Sequence, residues 1–146
     1  MIRDEVNRLK MKFKTNDVIE LADALGITIV DAKLGDINGF YSVIDGHKFI
    51  SVNDELSEHK RLFIIAHEIG HSVLHGDRNF LFDKKHTCKL NCRIEREANE
   101  FAINLIFSDD DFKEFYINKG YTISQIANYF EIDENIIEYK KKCLTV

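Results

Sequence analysis

The chain has 146 residues, 45% of them hydrophobic and 31% charged, and carries a net charge of −5. That length suits one domain with a core of its own, and the acidic balance leaves no positive surplus to grip a phosphate backbone, so direct nucleic-acid binding is not expected. No apolar run approaches the roughly 20 residues of a membrane span. The start, MIRDEVNRLKMKFK, is charged throughout and lacks the apolar core of a signal peptide. Three cysteines, an odd number, fit a reducing compartment better than a disulfide framework. A cytoplasmic protein with no membrane contact is expected.

In chain order, IRDEVNRLKMKF (2–13) sets Ile2, Val6, Leu9 and Phe13 on one helical stripe. Thr15 or Asn16 can cap a second helix through Leu25, closed by Gly26. Then β-rich runs follow: ITIV (27–30), GFYSVI (39–44) and KFISVN (48–53), the last two joined by Asp45-Gly46, a two-residue hairpin signal. A small antiparallel sheet follows from them, with KFISVN offering an open edge to an extended peptide. Ser57 as N-cap and Gly76 as C′ residue bound a helix over 58–75. RIEREANEFAINLIF (93–107) makes another, with Ile94, Ala98, Phe101 and Leu105 as its core stripe. The class is α+β.

The 58–75 helix contains His67-Glu68-Ile69-Gly70-His71. It is apolar nearly all round, with Phe63, Ile64 and Leu74 flanking the histidines, so both faces should be buried. Two buried histidines need partners, and a metal fits an i, i+4 pair. The competing reading is a pair of histidines hydrogen-bonded to core groups. A catalytic zinc takes three protein ligands. His75 stands roughly 12 Å along the axis from His67, too far for one ion to hold both, and the spacing that puts a third histidine six residues after His71 fails, because that position is Asp77. Glu97, beside the core stripe of the 93–107 helix, is the expected third ligand, while Glu95 and Glu100 read as solvated charges.

The segment His67-Glu68-Ile69-Gly70-His71, preceded by RLFIIA and followed by EREANEFAINLI, resembles the ImmA/IrrE family of metallopeptidases. The resemblance covers about residues 15–110. It implies a zincin-like fold with the small sheet packed on the active-site helix, zinc on His67, His71 and Glu97, and Glu68 as general base. Mn²⁺ or Fe²⁺ also suits a two-His, one-carboxylate set. It further implies a protein substrate: a helix-turn-helix transcriptional repressor of a prophage, mobile element or stress response, cut at one site to relieve repression. The family often ends its second helix with proline after LLM; here LIFS leads into DDD. The alternative is a non-proteolytic regulator that keeps the zinc-site fold and binds a partner or DNA.

A single domain over 1–146 is expected, with a catalytic core at 15–110 and a helical, helix-turn-helix-like part at 111–146. In the latter, Thr122 and Gln125 make a capping box, Ile123, Ile126, Ala127 and Phe130 an apolar stripe, and Asp133 starts another helix. That last helix sets Asp133, Glu134 and Glu138 against three lysines, a poor electrostatic match to DNA, so packing or substrate docking is expected. His86, Cys88 and Cys92 make a loop cluster whose spacing suits a second metal or a thiol switch, with plain reduced cysteines as the competing reading. His75, Tyr41, Tyr116 and Tyr121 are candidates for steadying an oxyanion, each with a structural alternative. The sequence leaves the oligomeric state open.

Overall fold

A computed structural model describes residues 1–76, 80–83 and 89–145. In chain order the elements are helices α1 (Ile2–Phe13) and α2 (Val18–Ala24), strands β1 (Ile27–Ala32), β2 (Ile37–Ile44) and β3 (His47–Asn53), helix α3 (Glu58–His75), strand β4 (Phe80–Asp83) and helices α4 (Lys89–Ile106) and α5 (Asp109–Lys113). A π-helical turn (Glu114–Asn118) then leads to α6 (Ile123–Phe130) and α7 (Glu134–Thr145). Among the described residues no helix is long and apolar enough to cross a membrane.

Local chemistry explains most boundaries. Asp45 and Gly46 both take positive φ, 51° and 77°, as a two-residue hairpin between β2 and β3 requires. The Ser57 side chain accepts from the Lys60 N–H at the start of α3, and Gly76 ends it with φ 74°. The cap of α2 falls on Asp17, whose side chain accepts from the Glu20 N–H, rather than on Thr15 or Asn16. The expected capping box of Thr122 and Gln125 is present at α6.

The four strands lie in the order β1-β3-β2-β4. β2 is antiparallel to β3, as expected, and to β4, a strand the sequence did not announce, but β1 runs parallel to β3, pairing Ile27 with Lys48 and Ala32 with Asn53. The chain reverses between β1 and β2, and again at the hairpin, and β3 inserts between the two earlier strands; two reversals make β1 and β3 parallel. β3 is therefore interior, which corrects the expectation that KFISVN offers an open edge.

α3 is clamped from two sides. Every residue from Phe63 to His71 is buried, which a helix achieves only with neighbours all round. On one side the sheet comes close at Gly39, where an added Cβ would fall 2.7 Å from the Ile64 side chain. On the other, α4 comes close at Gly70, where an added Cβ would fall 3.1 Å from the Phe101 ring. Leu21, Ile50, Val52, Ile65 and Phe101 belong to the core formed around α3. A second cluster, with Ile103, Phe107, Phe112, Ile126, Phe130 and Ile137, lies under the C-terminal helices, and Ile106, Ile132 and Ile136 pack against both. The result is the expected α+β, zincin-like arrangement, a small sheet on a central helix followed by a helical C-terminal part.

Candidate metal centre

His67 and His71 sit one turn apart on α3, so their rings point the same way. They meet α4 where Gly70 lets the two helices close up against Phe101, and the α4 carboxylate delivered to that point is Glu95. Its Oε2 lies 2.7 Å from His67 Nε2 and its Oε1 3.1 Å from His71 Nε2. The two Nε2 atoms are 3.1 Å apart. All three residues are buried, and one ligand atom from each lies within 4.8 Å of the others.

Glu97, the expected third ligand, is not in this group. It lies 3.9 Å from His75 Nε2 and 3.3 Å from Arg93 Nε, on the flank of α4. The reason is helical phase. The stripe facing α3 runs through Glu95, Ala98 and Ala102, at i, i+3 and i+7, and a residue two positions on from Glu95 is turned roughly 200° around the axis. The small, buried side chain of Ala102 carries the signal that could have found it, since it lies off the Ile94 stripe, on the face of Glu95, and permits close approach.

The environment favours a cation. His67 Nδ1 donates to Asn99 Oδ1 at 2.7 Å, which turns its Nε2 toward the Glu95 carboxylate. Lone pairs at that distance need a proton or a metal ion between them. On the other side, His71 Nδ1 lies 3.0 Å from His75 Nδ1, so His75 orients a ligand candidate instead of being one. Burial works to raise the Glu95 carboxyl, yet the hydrogen bonds and charges of His67 and His71 outweigh it and hold it down at about 2. Glu95 is thus an anion at neutral pH, and two imidazoles plus a carboxylate make a donor set for a divalent metal.

Glu68 stands beside this group, its Oε2 3.9 Å from His67 Nε2. It is fully buried. Among the described residues, neither of its oxygens has a hydrogen bond of ordinary geometry. Burial first, and then the charge of Glu95, push its carboxyl well above the usual range, with the Tyr41 backbone pulling weakly the other way. A carboxylate so placed readily takes up a proton.

Of the oxyanion candidates, Tyr41 is wholly buried in the core. Tyr116 stacks on Phe112 and Tyr121 meets Phe115 edge-on, both within the C-terminal aromatic cluster. His86 and Cys88 lie outside the described residues. Cys92 falls inside α4, which begins earlier than expected, and its thiol is free and exposed.

Comparison with known proteins agrees with this geometry. Residues 22–142 match the model of the IrrE N-terminal-like domain, a family of peptidases. The chain is 35% identical over 128 residues to "Uncharacterized immunity region protein 2" of Bacillus phage phi105, covering 87% of this chain and 80% of that one. It is 32% identical over 143 residues to "Metallopeptidase ImmA" of Bacillus subtilis strain 168, covering 95% and 83%.

Proposed function

Since the chain belongs to the ImmA/IrrE family of metallopeptidases, we propose that it is a zinc endopeptidase that cuts one bond in a helix-turn-helix repressor and so relieves repression of a prophage, mobile element or stress response in the cytoplasm. The observation that carries this reading is the buried set of His67, His71 and Glu95 with the Glu68 carboxylate beside it. The designation of the phage relative as an immunity region protein supports a link to repression.

His67, His71 and Glu95 hold the ion, Asn99 and His75 fix the two rings, and the same donors would accept Mn²⁺ or Fe²⁺. When bound, the metal supplies Lewis acidity to a peptide carbonyl and makes water at the site more acidic. Glu68 handles the proton. Its carboxylate accepts one from the attacking water and returns it to the amine nitrogen as the C–N bond breaks. Burial, which raises its carboxyl, favours the uptake of that proton.

The test is co-expression of this protein, or its Glu68→Gln form, with the repressor encoded beside it, reading repressor length by mass spectrometry. One new fragment pair with the natural protein and none with Glu68→Gln is the expected result. A repressor that is inactivated by both forms yet stays whole would replace the peptidase with a binding regulator.

A further inference from the structure

A cavity of about 650 Å³ opens against the metal cluster, with Glu95 and Asn99 in its wall. That size falls within the roughly 300–1,000 Å³ of ligand-binding clefts. The same Glu95 carboxylate that meets both histidines lines this space, so whatever fills it lies beside the candidate metal centre.

Elements far apart in sequence supply the rest of the lining. α3 gives Phe63, whose ring centroid is 6.3 Å from that of His67. The α6–α7 turn gives Ile132, and α7 gives Ile136 and Tyr139. α7 is held in register by its neighbours. Ile137 is fully buried in the C-terminal core, and Lys140, 1% exposed, donates to Asn104 on α4 and to Asp109. Ile132 and Ile136 remain partly exposed, which leaves apolar surface facing a buried polar centre. Lys60 and Arg96 share this lining with Glu95, Glu100 and Asp133, so both signs of charge border the apolar surface.

β2 contributes Asn38. Ile37 pairs with Asp83 and Gly39 with Phe82, so Asn38 is the extra residue of a β-bulge, a device that re-aims a side chain off the ladder. The bulge is braced from behind. Asn53 Nδ2 donates to the carbonyls of Gly35 and Ile37 at 3.0 and 2.9 Å, and Asn53 Oδ1 accepts from the Glu55 N–H. Asn38 is 5% exposed and lines the cavity. A carboxamide donates and accepts, as pairing with a peptide backbone requires.

Resting on the peptidase reading, we propose that this cavity is the specificity pocket of the enzyme: a large apolar side chain of the substrate lodges against Phe63, Ile132, Ile136 and Tyr139, while Asn38 hydrogen-bonds the backbone of the same segment. The C-terminal helices then act in substrate selection, by completing the cleft.

The test uses the full chain, with and without added zinc, in ¹⁵N NMR titrations with N-acetyl-leucinamide and, as control, N-acetyl-glycinamide. The leucine probe is expected to shift amides of residues 132–139 and Asn99 and to bind about tenfold tighter than the glycine probe, the effect of burying one large apolar side chain. Ile136→Asp removes that preference. Asn38→Ala weakens both probes alike, because it takes away a backbone partner. Ile136→Trp fills the space with an apolar group and must also block the leucine probe, which keeps the test decisive if Ile136→Asp does not fold. Equal binding of the two probes, or shifts mapping elsewhere, overturns the pocket. A repressor cut by a protein that shows no leucine preference removes the pocket and leaves the peptidase. Leucine binding in the pocket of a protein that cuts nothing removes the peptidase reading and the pocket's role in cleavage together.

Discussion

Asn99 Oδ1 accepts from His67 Nδ1 at 2.7 Å, and that contact decides which ring nitrogen faces Glu95. Loss of such an orienting partner typically costs a metal site 10- to 100-fold in affinity. Asn99→Ala should therefore weaken zinc binding by about that factor, measured by competition with a chelator of known affinity. An unchanged affinity would mean that packing alone holds the ring.

Glu95 and Glu97 make opposite predictions. Glu95→Gln removes the anionic member of the donor set, so zinc affinity should fall by more than the roughly 10- to 100-fold expected of an orienting residue. Glu97→Gln breaks a partly exposed contact with Arg93 and should leave affinity within about twofold, since such pairs contribute little. The same chelator competition reads both, and reversed results would return the third ligand to Glu97.

That pair also shows how far the sequence was legible. Ser57, Gly76 and Asp45-Gly46 announced their boundaries because capping and tight turns are local chemistry. His67, Glu68 and His71 were visible because their spacing matches the helix. Glu95 was not, because two residues of α4 differ in which neighbour they face, and that depends on the packing of Gly70 against Phe101. The parallel pairing of β1 with β3 was hidden for a similar reason: period-2 patterning identifies strands and is silent on their order. Asn99 and Asn38 gave no signal, since an asparagine acquires its role from what folding sets beside it.

The close approach at Gly70 is itself testable. An alanine Cβ there would lie 3.1 Å from both Cβ and Cδ1 of Phe101, and both helices are held by other contacts. Overpacking of this kind costs roughly 1–3 kcal/mol, partly offset by the ~0.5–1 kcal/mol that alanine gains over glycine in a helix. Gly70→Ala should lower the urea midpoint and, by spreading α3 from α4, weaken zinc binding as well. A raised midpoint with unchanged affinity would show that Phe101 shifts without penalty.

Asp109 joins three parts of the chain: it pairs with Arg3 of α1 and lies 2.8 Å from Lys140 of α7. Burial works to raise its carboxyl, but Lys140 and then Arg3 outweigh it and hold it below the usual carboxylate range. A depressed folded value means that this stabilisation is fully present above the unfolded value, about 3.9, and is lost as pH falls from there through the folded value. At neutral pH, Asp109→Asn leaves the buried ammonium of Lys140 without its charged partner. The cost should be about 1–3 kcal/mol, nearer the lower figure because a third of the Asp109 side chain is exposed to screening solvent. Urea unfolding between roughly pH 6 and pH 2.5 separates the contributions. The natural chain should lose more stability than Asp109→Asn across the acid end, so that the two curves converge. Parallel curves would assign the contact to geometry and not to charge.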